Sequence, residues 1–207
     1  MTDRRSRGDN LAIIVDKEKK RRLIALSCKE LLLDHGIKNI TVAQIARAAN
    51  IGKGTIYEYF ANKDEIVFEI ITLFVENIQR DLLVAINDNS LTCRSKLEYF
   101  ISLVFSSKYN KEFFIYQEFL SIALCSATSD MIAFRNNCQA GFEDILEVII
   151  TQGINQDELD KDAKLLIPII RYFHTGLIVD VAVANVDTQI EIDKFINFIF
   201  NDIKFRD

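Results

Sequence analysis

Residues 41–66 read TVAQIARAANIGKGTIYEYFANKDEI, and the fold turns on them. Thr41 and Gln44 stand at capping-box spacing, the hydroxyl taking a backbone N–H while the Gln side chain reaches back. Ile45, Ala46 and Ala49 then share an inward face on a helix of about two turns, and the alanines let another helix approach closely. The turn NIG follows. In KGTIYEYF, Ile56 and Phe60 lie four apart and form one apolar face, Gly54, Thr55 and Glu58 point roughly opposite, and Tyr57 and Tyr59 flank the stripe. Two short helices, a tight turn and alanines at the crossing make a helix-turn-helix.

The outward face of the second helix suits a duplex. Gly54 adds no side chain, so the backbone can come close to base edges or sugar. Lys53, at the helix start, reaches guanine acceptors or a phosphate, and Thr55 offers a hydroxyl. Tyr57 and Tyr59 bring phenol donors to the backbone. Lys63 sits at the next helix N-terminus, where free N–H groups and the dipole draw anions. The plain alternative is tyrosines that cover the core and lysines that are merely solvated.

The same stretch resembles the signature of the TetR family of bacterial transcriptional regulators over roughly residues 17–70. The matching residues are Thr41, Ile45-Ala46, Lys53-Gly54-Thr55-Ile56-Tyr57, Tyr59, Phe60 and Lys63-Asp64. The resemblance implies base-edge contacts near Lys53, Gly54 and Tyr57. It implies phosphate contacts from Thr41, with Gln44 beside it, and from Thr55, Tyr59 and Lys63. Two positions depart from the pattern. Gly52 stands where the family usually has Ser, a weaker cap by a few tenths of a kcal/mol, and Glu58 puts an acid on the exposed face. Ahead of the first helix, Arg4, Arg5 and Arg7 form a basic arm that either touches DNA or is a solvated tail.

Charge supports an anionic partner for this end alone. Residues 1–63 hold 13 Lys/Arg against 7 Asp/Glu, a net of +6; residues 64–207 hold 12 against 23, a net of −11. With 49% hydrophobic residues, seven glycines and one proline in 207, the chain reads as packed and all-α. The expected organisation is an arm over 1–16, the DNA-binding helices over 17–63, and a ligand-binding and dimerisation region over 64–207. Cys28, Cys93, Cys125 and Cys138 show no CxxC spacing and only two histidines exist, so a metal site is not expected; the thiols read as small apolar residues of a protein in a reducing cytoplasm. No nucleophile–base pair stands out, and GKGT lacks the spacing and the preceding strand of a phosphate loop, so neither an enzyme nor a cofactor is expected. Residues 165–184 are long enough to span a bilayer, but Arg171, His174 and Asp180 argue for a helix buried in protein.

The first helix should run from Lys17 to His35, with Leu23, Leu26, Leu31 and Leu33 supplying much of its apolar surface and Gly36 ending it. Asn62 with Glu65 should start a long helix to Ala85, and further helices fall near 91–108, 111–126, 129–152, 158–185 and 188–205, the last opened by Thr188 and Glu191. Pro168 should kink or start its helix. The family resemblance implies a homodimer through the last two helices, where Ile192, Phe195, Ile196, Ile199 and Ile203 repeat at helical spacing, and a cavity for a small lipophilic effector. Candidate lining residues are Phe105, Tyr109, Phe113, Tyr116, Gln117, Phe134, Asn137 and His174; Glu118 or Glu98 in such a cavity would favour cations. The expected function is a ligand-responsive regulator, by preference a repressor, of palindromic operator DNA. The alternative is a DNA-tethered regulator whose C-terminal region binds a protein partner.

Overall fold

The computed structural model describes residues 16–202; the basic arm and Ile203 lie outside them. The described residues form helices and no strand. A helix over residues 16–27 (α1) continues into α2 (Lys29–Asn39). Then come α3 (Val42–Ala48), α4 (Lys53–Tyr59), α5 (Lys63–Ile86), α6 (Cys93–Ser102), α7 (Asn110–Ser126), α8 (Ser129–Asn155), α9 (Ile167–Val183) and α10 (Thr188–Asn197).

The join between α1 and α2 has a local cause. Ser27 Oγ and Cys28 Sγ both donate to the Ile24 carbonyl, at 2.6 and 3.1 Å, and take an acceptor from the backbone ladder. Gly36, where the first helix was expected to end, breaks α2 with φ 75° and ψ 161°, and one further turn runs on to Asn39. Its buried stripe is Ile24, Cys28 and Leu32, one residue out of phase with the expected leucines; Leu23 and Leu26 are half exposed. Thr41 and Gln44 form the capping box in both directions. The turn after α3 is a Schellman motif: Asn50 has φ 54°, its N–H reaches Arg47 O at 3.1 Å, and Ile51 N–H reaches Ala46 O at 3.0 Å. Asn62 caps α5 by accepting from Glu65 N–H, while Glu65 accepts from Ala61 N–H.

Helix α5, about 36 Å long by its 24 residues, is the spine. Ile66, Ile70, Phe74, Ile78, Leu82 and Ile86 run down one side of it into the common core. Helices α6, α7 and α8 pack around it, and α9 lies on α7 and α8. Pro168 sits in the first turn of α9 and starts it. At α10 two expectations need correcting. Asp187, not Thr188, is the cap, accepting from the N–H groups of Gln189 and Ile190. The apolar stripe of α10 and of the turn Phe198–Asp202 that follows it faces its own chain: Ile192, Ile196 and Ile199 are buried, α10 packs on α6, and Phe195 stacks on Phe173 at 3.8 Å.

The N-terminal helices are tied to the rest by more than α5. Helix α2 lies along α7, where Lys29 pairs with Glu112 at 2.9 Å and Glu30 with Lys111 at 2.9 Å. Glu118 Oε1 accepts the Ile37 N–H at 2.8 Å. Glu118 is therefore a strut between the two parts and lines no cavity, and Glu98 is on the surface beside Gln189. A Cβ on residue 36 would meet Glu118 Oε1 at 2.8 Å. Gly36→Ala is expected to cost about 1–3 kcal/mol from the positive-φ backbone alone. A urea titration checks this; an unchanged midpoint would contradict a backbone cost at this position.

Candidate nucleic-acid interface and effector cavity

Helix α4 is held from behind by two residues. Ile56 and Phe60 are each 1% exposed and pack with Ile45 and Ala46. Arg21 of α1 closes over this end. Its guanidinium lies 4.3 Å from the Phe60 ring centroid, donates to the Tyr59 carbonyl and pairs with Glu69 at 3.3 Å. Sequence reading overlooked Arg21 because its partners are 38 to 48 positions away.

The outer face of α4 carries Lys53, Gly54, Tyr57 and Glu58, all exposed, with Thr55 and Tyr59 half buried. A Cβ on Gly54 would meet nothing within 4 Å, so nothing in the protein requires a glycine there. Tyr57 is 53% exposed and covers no core. The flanking polar residues are already partly engaged. Thr41 Oγ1 donates to Gln44 Oε1 at 2.8 Å, so its proton is spent inside the capping box, and the Gln44 amide N–H₂ is the donor left facing outward. Lys63 Nζ donates to the Ile37 and Lys38 carbonyls at 3.1 and 2.9 Å. The lysine thus caps the end of α2 and keeps one N–H for an anion.

Among the phenylalanines and tyrosines of the larger part lies a cavity of about 60 Å³ between α5, α6, α7, α8 and α9. That is room for a few waters, not for a drug-sized ligand. Of the eight expected lining residues, Tyr116 and His174 reach it. Phe105 packs behind His174, ring centroids 6.2 Å apart, and Phe113 packs on Phe105. Tyr109 turns away and donates to Asp81 at 2.9 Å, and Gln117 donates to the Ile178 carbonyl at 3.4 Å. Phe134 belongs to another cluster, stacked 4.6 Å from Phe68. Asn137 is exposed and is no part of the wall; the long helix α8 turns it outward and Cys138 inward.

The wall also holds residues outside those eight, among them Phe74, Phe100, Phe142, Glu143, Arg171 and Thr175. Burial pushes the Tyr116 phenol up to about 12 and the Cys138 thiol up to about 11, so both stay protonated. The same desolvation pushes His174 down to about 4, so its imidazole is neutral at pH 7. Its Nε2 has no hydrogen-bond partner in the protein. Arg171 Nε lies 2.8 Å from Glu143 Oε1 but out of line for donation, so it too is unbonded. The signal was there to read: an Arg and a His one turn apart in a mostly apolar helix. Cys125 is exposed and so is no core residue. Among the described residues no group of His, Cys, Asp and Glu is arranged to hold a metal ion.

A third surface is α9 itself. The stretch Lys161–Val183 is long and apolar enough to cross a membrane, and only 22% of its apolar window is buried in the chain. Its outward line runs through Leu165, Ile169, Tyr172 and Val183, exposed by 67, 49, 65 and 76%. The expectation of a helix buried on most sides fails within one chain.

Residues 28–70 match the model of bacterial regulatory proteins of the tetR family. The fatty acid metabolism regulator protein of Bacillus subtilis is 27% identical over 137 residues, covering 63% of this chain and 66% of that protein. The chain spans two thirds or less of the length of the curated relatives it matches. In fold it resembles the transcriptional regulator FadR from Bacillus subtilis in complex with stearoyl-CoA (22% identity, TM-score 0.66, 88% of this chain and 98% of that one). It also resembles a TetR family regulator from Cytophaga hutchinsonii (17% identity, TM-score 0.71, 93% and 98%).

Two outcomes follow from these sites. Gly54→Ala adds a better helix former at an open position, so thermal stability is expected to hold or rise, by up to about 1 kcal/mol, while affinity for duplex DNA falls about tenfold or more. Melting and fluorescence anisotropy on the same sample read both; unchanged DNA binding would remove Gly54 from the interface. His174 has a depressed pKa, so the unfolded chain takes up more protons between pH 6.5 and 4. Stability from this group is present above pH 6.5 and is lost as pH falls toward 4. His174→Phe is expected to flatten the urea midpoint over that window, and an equal slope in both proteins would contradict it.

Proposed function

We propose that this chain, a member of the tetR family of bacterial regulatory proteins, is a ligand-responsive transcriptional repressor that binds palindromic operator DNA as a homodimer and is released by a small lipophilic effector. One observation carries the reading: α4 is clamped from behind by Ile56, Phe60 and Arg21, while its outer face keeps a glycine and a tyrosine that the fold itself does not use. On this reading Lys53, Gly54 and Tyr57 approach base edges, and Thr55, Tyr59, Gln44 and the free N–H of Lys63 meet the phosphates. The Thr41 hydroxyl serves through the capping box that holds Gln44.

The uncovered line on α9 supports a dimer, since a lone chain would present these large apolar side chains to water. Helix α10 has spent its stripe on α6 and contributes chiefly through Ile190 and Phe198, which stay about half exposed. Dimerisation sets two copies of α4 at a fixed spacing, about one helical turn of DNA or a multiple apart. An effector in the cavity would spread the walls formed by α7 and α9. Because α7 holds α2 through Glu118, Glu112 and Lys111, that movement reaches the DNA-binding helices. The likeness to a fatty acid metabolism regulator and to FadR supports acyl compounds as the first class to try.

The small resting cavity favours a second reading, in which a protein partner docks on the C-terminal part and DNA serves as the tether. Operator affinity measured with and without acyl compounds separates them. Induction predicts a loss of about 5- to 150-fold. No change across chain lengths and head groups contradicts induction and leaves the partner reading.

A further inference from the structure

We propose that the effector offers a neutral oxygen acceptor, the carbonyl of an ester, thioester or amide heading an apolar chain, to Arg171 Nε and His174 Nε2. This rests on the effector reading above and names the chemistry of that site. Among the described residues three buried side-chain polar atoms lack a partner in the protein: Ser106 Oγ and these two nitrogens. Both nitrogens belong to residues one turn apart on α9 that line the same cavity. An arginine Nε–H only donates, and in the tautomer that carries its proton on Nε2 the neutral imidazole donates there too, so one acceptor satisfies both.

Charge decides what kind. Arg171 already faces Glu143 at 2.8 Å, so the pair is close to neutral. Burial holds His174 uncharged. A carboxylate placed here would add a negative charge with no cation left to meet it, at a heavy desolvation cost. A carbonyl accepts the same two hydrogen bonds and adds no charge. The other walls, among them Phe100, Phe142 and Ile178, suit a hydrocarbon chain. A separate crevice of about 280 Å³ between α7, α8 and α9 has Thr175 in common with the cavity wall.

Three probes of equal chain length test this on the full chain: methyl dodecanoate, the dodecanoate ion and dodecane, each read by displacement of a fluorescent apolar dye. The ester is expected to bind about tenfold or more tightly than either. His174→Phe should bring the ester down to the alkane, while His174→Gln, which keeps a donor, should retain a preference for the ester. His174→Phe should also melt no lower than the parent, because it removes an unbonded buried polar group. A stronger hold on the carboxylate, an ester preference that survives His174→Phe, or equal binding of all three probes would overturn the inference and leave the effector reading standing. So would loss of the preference in a folded His174→Gln protein; that outcome marks His174 as structural or water-bonded. If no probe binds, the inference falls, and the operator assay across chain lengths and head groups decides the effector reading.

Discussion

A helix of seven residues does not hold itself together in water. Helix α4 exists because Ile56 and Phe60 are buried against Ile45 and Ala46 and because Arg21 closes its C-terminal end. Everything proposed for DNA depends on that clamp. It fixes the direction in which Lys53, Gly54 and Tyr57 point, and it hands any tilt of α1 or α5 directly to α4. The turn is equally determined: Asn50 in the left-handed region and two N–H groups returning to α3 leave little freedom between the helices.

The same economy governs the connection to the larger part. The structure joins them through the start of α5, where Lys63 caps α2, and through α7, where Glu118 receives the N–H just after Gly36. Ion pairs between α2 and α7 are partly exposed and individually weak. Glu118 differs, because its partner is a backbone N–H at a chain reversal that takes a glycine. Tyr116, two residues earlier on α7, lines the cavity. One helix therefore touches both the cavity and the DNA-binding part, a short physical path for coupling.

Local chemistry was legible in the sequence. The caps at Thr41 and Asn62, the break at Gly36, the start at Pro168 and the inward faces of Ile45, Ile56 and Phe60 all rest on interactions spanning about four residues. What depended on distant partners was not. The phase of the first helix was misjudged because Leu23 and Leu26 are as apolar as Ile24 and Leu32. The stripe on α10 has the same period whether it meets its own chain or a second one, and only packing on α6 distinguishes them. Asn137 was taken for a wall residue because α8 has few charges in its middle to mark its outer side. Arg171 entered only as an argument against a membrane, although its unbonded Nε and the unbonded Nε2 of His174 are the most informative feature of the cavity.

On the proposed dimer, two copies of α4 should select one arrangement of DNA, and selection from a random duplex pool at low ionic strength tests this most directly. The expected result is enrichment of an inverted repeat whose half-site centres lie about one helical turn, or a multiple, apart. Enrichment of a lone half-site, or of no sequence at all, would contradict the account.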